Sequence, residues 1–174
     1  MENSANATPR MSTKKLVMMG LLVALTVVLT YMLSFTTAFL RVSFGFIPVA
    51  TAGMLFGPIG GLAVATLADL IGATIFFGAP NPGLAVTAAL TGLVYGLFLS
   101  RKDVSRRSIV LCQAIIMVVL HLIYNSIVLD FISPYTFWAN MPLRAVRSLV
   151  LFPVQVFILM KLVDYRPVFE RLVR

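Results

Sequence analysis

Six apolar stretches, separated by short polar segments, run through the chain of 174 residues. Their lengths predict helices at about 14–35, 46–56, 58–76, 84–99, 108–132 and 142–163. The second of these would span only roughly 16 Å, about half the roughly 30 Å of a hydrocarbon core. We therefore predict a short helix 2 that ends at Gly57-Pro58, because Pro58 suits the first turn of helix 3.

Polar and Gly/Pro-rich segments predict the connections at 36–45, 78–83, 101–107 and 133–141. Asn140 suits the N-cap of helix 6, with Pro142 near its first helical position. Three units follow along the chain: a disordered cytoplasmic N-terminal tail, a six-helix transmembrane domain and a basic cytoplasmic C-terminal tail. Their bounds are 1–13, 14–165 and 166–174.

The composition indicates an all-α integral membrane protein. Hydrophobic residues make up 60% of the chain and charged residues 11%, whereas soluble domains carry about 25% charged residues. The single cysteine, Cys112, excludes an internal disulfide. The sequence contains no phosphate-binding loop and no hydrolase motif. We therefore expect neither an enzyme nor a resident cofactor or metal.

The net charge of +8 is better explained by the excess of cations on the cytoplasmic side of membrane proteins than by nucleic-acid binding, provided that the cations lie on one side. Six helices place all but three of the 14 lysines and arginines on the same side. That side is then cytoplasmic, and both termini lie there. The cations on it are Arg10, Lys14, Lys15, Arg101, Lys102, Arg106, Arg107, Lys161, Arg166, Arg171 and Arg174.

The three remaining cations, Arg41, Arg144 and Arg147, fall on the outer side. Arg144 and Arg147 share a face in the first turns of helix 6, where the helix itself favours anions. They indicate an anionic ligand, or else arginines that reach lipid headgroups or pair with Asp130. Trp138, in the aromatic loop before helix 6, suits either a stacking contact with a flat ring or an interfacial belt.

Polar residues inside the apolar helices are the other candidates. Asp69 lies in the outer half of helix 3, where a carboxylate contacts a ligand, pairs with an arginine or joins two helices. His121, Tyr124 and Asn125 share a face of helix 5. They either line a cavity or form interhelical hydrogen bonds. A lone histidine predicts no metal site.

Small residues recur at four-residue spacing, which allows helices to approach closely. On helices 2 to 4 we expect them to serve internal packing. On helix 1, Gly20 and Ala24 could dock a partner helix. The internal set is Gly53, Gly57, Gly61, Ala65, Gly92 and Gly96.

Several runs together resemble one family, the folate-specific substrate-binding subunits of energy-coupling factor (ECF) vitamin transporters. The resemblance covers most of 14–165. One departure stands before helix 4, where the family's usual Phe-Pro-Gly-Phe-Thr reads Asn81-Pro-Gly-Leu-Ala85. The matching runs are Leu40-Arg-Val-Ser-Phe-Gly-Phe-Ile-Pro48, Leu55-Phe-Gly-Pro-Ile-Gly-Gly61, Ala68-Asp-Leu-Ile-Gly72, Pro82-Gly83 and Thr91-Gly-Leu-Val-Tyr-Gly-Leu-Phe98.

The resemblance implies a six-helix protein of a prokaryotic cell membrane that captures folate near the outer face, under the loop between helices 1 and 2. Helix 1 would dock a transmembrane scaffold subunit, and two ATPase subunits would drive delivery inward. Folate is a flat pterin with an anionic glutamate tail. The tail suits the three arginines, and the flat rings could stack on Trp138. The edge of the pterin could form hydrogen bonds with Asp69 or Asn125. The complete predicted ligand set is Arg41, Asp69, Asn81, Tyr124, Asn125, Trp138, Arg144 and Arg147.

Three alternatives stay open. The ligand could be another vitamin such as thiamine, although a cation fits poorly beside three arginines. The chain could instead be an ion-coupled permease that acts alone, or a membrane enzyme or assembly factor. The last of these lacks a catalytic constellation in the sequence.

Overall fold

The computed structural model describes residues 12–33, 35–36, 41–101, 104–125, 127–128 and 137–173, and only the backbone at 35–36, 41–42, 137–147, 170 and 172–173. This part of the chain is almost entirely helical. Its elements are α1 (Thr13–Val27, continued by a π-helical segment, Val28–Met32), β1 (Phe35–Thr36), β2 (Arg41–Val42), α2 (Phe46–Phe77), α3 (Pro82–Leu99), α4 (Arg106–Ile115, continued by a π-helical segment, Ile116–Tyr124), α5 (Phe137–Asp164) and α6 (Arg166–Val173).

The membrane character predicted from the composition is confirmed by the helices. Four helices in the described ranges are long and apolar enough to cross a bilayer. They also expose large apolar side chains, such as Leu16, Ile75 and Leu111, as lipid-facing surfaces do. The four are Thr13–Met32, Phe46–Phe77, Pro82–Leu99 and Arg106–Tyr124.

The predicted break at Gly57-Pro58 is confirmed. Gly57 has φ 75° and ψ −168°, a conformation that glycine adopts without strain, and Pro58 follows without an N–H to continue the helix. The chain reverses there, because a Cβ atom built on Gly61 would lie only 3.0 Å from the Cα atom of Gly53. The two arms of α2, at 46–56 and 58–77, therefore pack side by side as a helical hairpin.

Glycines hold α3 directly against this hairpin. A Cβ atom on Gly61 would lie 2.3 Å from the carbonyl oxygen of Gly92. One on Gly53 would lie 2.7 Å from the backbone nitrogen of Gly96, and one on Gly96 would lie 2.3 Å from the Cα atom of Pro58. We call Gly53, Gly61, Gly92 and Gly96 the glycine seam. The close packing predicted for these residues is confirmed.

Short-range contacts fix the connection between α2 and α3. Gly78 ends α2 in the left-handed region, with φ 77°, and its N–H donates to the Thr74 carbonyl at 3.2 Å. The Asn81 side chain accepts from the Gly83 N–H at 3.0 Å and caps α3, with Pro82 in its first turn. The turn predicted for 78–83 therefore has a defined structure.

Three boundaries differ from the sequence prediction. Helix α5 begins at Phe137, so Asn140 is not its N-cap and Trp138 lies in a helix rather than a loop. A favourable cap is worth only about 1 kcal/mol, and further turns of helix offset it. The connection after α1 contains a two-residue antiparallel pairing, Phe35 with Val42 and Thr36 with Arg41.

The third difference is the segment after 165, which forms helix α6. Its Arg166 guanidinium donates to the carbonyl oxygens of Leu99 at 3.3 Å, Ser100 at 3.2 Å and Arg101. These carbonyls lie at the end of α3, where a helix has no partners of its own for them. Phe169 packs on the core around Leu99 and Leu159. The predicted disordered N-terminal tail lies almost entirely outside the described residues.

Candidate functional site

A cavity of about 490 Å³ lies between the long helices. Its size falls within the roughly 300–1,000 Å³ of ligand pockets. Each of α1 to α5, or the residue next to it, contributes polar side chains to a wall that is otherwise apolar. The polar residues that line it are Thr26, Thr30, Tyr31, Ser43, Asp69, Thr87, Thr91, Tyr95, Gln113, His121, Asn125, Ser148 and Gln155.

Tyr31 and Asp69 join α1 to α2 at this cavity. The Tyr31 hydroxyl donates to Oδ1 of Asp69 at 3.0 Å. The ring stacks on Phe76, with centroids 5.3 Å apart, and meets Phe77 edge-on at 5.9 Å. Gly72 leaves room for it, because a Cβ atom there would lie 2.1 Å from the ring. The carboxylate is thereby held at the cavity wall by one oxygen.

Asn125 joins α4 to α3. Its Oδ1 accepts a hydrogen bond from the Thr87 hydroxyl at 2.7 Å, and its Nδ2 lies 3.4 Å from Nδ1 of His121. His121 and Asn125 share a face as the spacing predicts, and both line the cavity. The two functions left open for this face, cavity lining and interhelical bonding, therefore occur together.

A third polar group crosses from α3 through α4 to α5. The Tyr95 hydroxyl donates to Oε1 of Gln113 at 2.9 Å, and Nε2 of Gln113 donates to Oε1 of Gln155. Tyr95 and Gln113 are each only 1% exposed. Buried polar groups of this kind are stable only when hydrogen-bonded. We call Tyr95, Gln113 and Gln155 the glutamine relay.

Both π-helical segments lie at the cavity. Val28–Met32 carries Thr30 and Tyr31, and Ile116–Tyr124 carries Met117 and His121. π-Helical turns are rare and occur frequently at functional sites, because the wider turn redirects side chains. Their positions support the assignment of this cavity as the site.

The structure brings together two of the eight predicted ligand residues, Asp69 and Asn125. Asn81 caps α3 and Tyr124 stands next to Asn125, and neither is among the described residues that line the cavity. Gly20 and Ala24 are exposed on α1. The four remaining residues have described backbones but not side chains, so their contacts stay predictions. They are Arg41 in β2 and Trp138, Arg144 and Arg147 in α5.

Five residues that organise the site were not identified from the sequence. They are Tyr31, Thr87, Tyr95, Gln113 and Gln155. All are polar residues inside apolar helices, which is the property that singled out Asp69. Thr87 and Thr91 also lie four residues apart on one face of α3. Polar residues in an apolar helix, together on one face, are visible in the sequence, so these residues could have been identified from it.

Comparison with known proteins identifies the family. The family model for the substrate-specific component of ECF transporters matches residues 14–171. The folate transporter FolT of Clostridium novyi (strain NT) is 33% identical over 145 residues, which are 83% of this chain and 84% of that protein. FolT of Leuconostoc mesenteroides subsp. mesenteroides is 30% identical over 165 residues, 90% of this chain and 89% of that protein.

Solved structures share the fold. A crystal structure of FolT bound with folic acid superposes with a TM-score of 0.79 at 28% identity, covering 91% of this chain and 96% of that one. The S component of a bacterial ECF transporter matches with a TM-score of 0.57 at 19% identity, covering 89% and 98%. The second likeness concerns the fold alone.

Proposed function

Because the chain belongs to the family of ECF transporter substrate-specific components, we propose that it binds folate and supplies it to an ECF transporter of a prokaryotic cell membrane. The observation that carries the proposal is the cavity, to which five helices contribute polar groups. Two relatives named folate transporters, at 33% and 30% identity, support folate as the ligand. The fold shared with a folic-acid complex supports it further.

The polar groups suit the two ends of folate. The pterin head presents both donors and acceptors, which the Asp69 carboxylate, Asn125 and the glutamine relay can match. The glutamate tail is anionic, and Arg144 and Arg147 near the start of α5 carry the matching charge. In this arrangement the head lies between the helices and the tail points to the outer surface.

The orientation in the membrane follows from the same charges. The helical hairpin at Gly57 divides α2 into two helices, which brings the chain to six membrane helices with both termini on one side. That side carries Arg101, Arg106, Arg107 and Lys161 and is cytoplasmic under the positive-inside rule. The paired strands after α1 belong to the loop that would cover the outward-facing cavity.

Delivery of folate inward requires energy that this chain does not supply by a phosphate-binding loop. We propose that the exposed face of α1 docks the transmembrane scaffold subunit, which two ATPase subunits accompany. Gly20 supports this, since a Cβ atom there meets nothing within 4 Å, and Ala24 one turn later is also exposed. Small exposed residues of this kind allow a partner helix to approach closely.

Folic acid binding to the purified protein, measured by calorimetry, tests the ligand. Arg147→Ala should weaken binding at least about tenfold, equivalent to about 1.4 kcal/mol. Arg171→Ala on α6 is the matched control and should bind as the wild type does. Unchanged affinity in Arg147→Ala removes that residue from the site. Thiamine binding in place of folic acid would overturn the ligand assignment.

A second experiment tests the dependence on partners. Proteoliposomes that contain this chain alone should not accumulate folic acid under an imposed proton or sodium gradient. Those with the scaffold and ATPase subunits should accumulate it when ATP is present. Uptake by the chain alone would instead support the ion-coupled permease.

A further inference from the structure

The glutamine relay has a direction, and Tyr95 sets it. The hydroxyl of Tyr95 has one hydrogen to donate, and with 1% of the residue exposed that hydrogen must find an acceptor inside the protein. The acceptor is Oε1 of Gln113. An amide whose oxygen faces Tyr95 presents its nitrogen to the next residue, and Nε2 of Gln113 accordingly donates to Oε1 of Gln155.

The last amide of the relay therefore presents its donor end. Because Oε1 of Gln155 is turned toward Gln113, Nε2 of Gln155 and its two hydrogens are directed away from Gln113. No described residue accepts them. Gln155 is half-buried and lines the cavity. A buried hydrogen-bond donor costs free energy when it is left unsatisfied, so this amide favours a ligand atom that accepts.

We propose that the glutamine relay makes this part of the cavity selective for ligands that present a hydrogen-bond acceptor, and that Tyr95 determines this selectivity by fixing the orientation of the two glutamine amides. This inference rests on the proposed folate binding, and it names the feature of the ligand that is read. Folic acid carries a carbonyl oxygen at position 4 of the pterin. Its 4-amino analogue aminopterin carries a donor at the same position, where two N–H groups would face each other.

Position along the helices agrees with a contact at the inner end of the ligand. Tyr95 is in the last turns of α3, Gln113 in α4 before its π-helical segment, and Gln155 in the second half of α5. One turn further along α3 and α5, Leu99 and Leu159 are buried in the core. A flat head that enters between the helices reaches the relay with its edge.

The test compares folic acid with aminopterin. Wild-type protein should prefer folic acid by about tenfold or more, the scale of one hydrogen bond lost together with a donor left unpaired. Tyr95→Phe removes the hydroxyl and keeps the ring. Without the hydroxyl, both glutamine amides can turn over, and Gln155 can then present its oxygen to the 4-amino group. The preference should fall to within about threefold, with folic acid still bound.

Tyr165→Phe is the matched control, because Tyr165 is 61% exposed between α5 and α6; its preference should equal that of the wild type. Gln155→Met provides a second variant if Tyr95→Phe does not fold, and it should lose the preference mainly through weaker folic acid binding. An undiminished preference in either folded variant overturns the relay. Wild-type protein that binds no folic acid overturns the proposed function itself, and wild-type protein that binds both compounds equally overturns only the relay.

Discussion

Replacing Gly92 by alanine tests whether the glycine seam sets the distance between α2 and α3. The added Cβ atom would lie 2.2 Å from the carbonyl oxygen and 2.5 Å from the carbonyl carbon of Gly61, where ordinary contacts begin at 3.4 Å. Backbone atoms cannot rotate away as a side chain can, so the helices must separate locally by about 1 Å. Overpacking of this kind costs about 1–3 kcal/mol.

Gly20→Ala is the matched control. It is the same chemical change in a helix, but its Cβ atom meets nothing within 4 Å. Alanine is the better helix former by up to about 1 kcal/mol at either position, so the difference between the two variants isolates the clash. With about 2–4 °C per kcal/mol for a soluble chain of this size, Gly92→Ala should unfold roughly 2–12 °C below Gly20→Ala.

Thermal unfolding of the detergent-purified variants, followed by circular dichroism, measures this difference. Gly61→Ala approaches the same contact from the other helix, with its Cβ atom 2.3 Å from the Gly92 carbonyl oxygen. The double variant should therefore lose less stability than the two single variants together, because the first separation already makes room for the second. A Gly92→Ala protein that unfolds at or above the temperature of Gly20→Ala would refute the close approach.

Two further predictions concern hydrogen bonds between helices. Thr87→Val removes the 2.7 Å hydrogen bond to Asn125 at nearly constant volume. It should lower the free energy of unfolding by about 1 kcal/mol and weaken folic acid binding. Thr66→Val, which loses only a hydrogen bond within its own helix, is the control. Arg166→Lys keeps the charge but not the planar fork that reaches three carbonyls, so amide exchange in α6 should speed up by about tenfold. Arg171→Lys, on the exposed side of α6, should leave that exchange unchanged. Equal exchange rates in both variants would contradict the idea that Arg166 holds α6 against the end of α3.

Backbone features were the most predictable part of the fold. The break at Gly57 follows from the Gly-Pro dipeptide, since one residue reaches the left-handed region and the next cannot donate. The seam follows from the recurrence of small residues at four-residue spacing, which includes Gly53 and Gly61 on either side of the break and Gly92 and Gly96 on the next helix. Both features depend on residues close together in the sequence, so they can be predicted without knowing which helices pack against each other. Helix α6 was missed because its stability depends on contacts with α3 and the core.

Side-chain partners were predictable only in part. Asp69 and Asn125 were identified because a polar residue in an apolar helix has few alternatives to a cavity or a partner. Their actual partners, Tyr31 and Thr87, were not. The spacing of residues defines which of them share a face of one helix, but not which neighbouring helix that face meets. Asn81 was expected to contact the ligand, but its side chain caps α3 instead.

The glycine seam also determines which walls of the cavity can yield. Both arms of the α2 hairpin pack directly on the backbone of α3 at the seam, so we expect this wall of the cavity to stay fixed. Other parts of the cavity wall come from the π-helical segments of α1 and α4, where a wide turn can revert to a tighter one by shifting one residue of register. We expect the entry and retention of a ligand to depend on movement of these two π-helical segments.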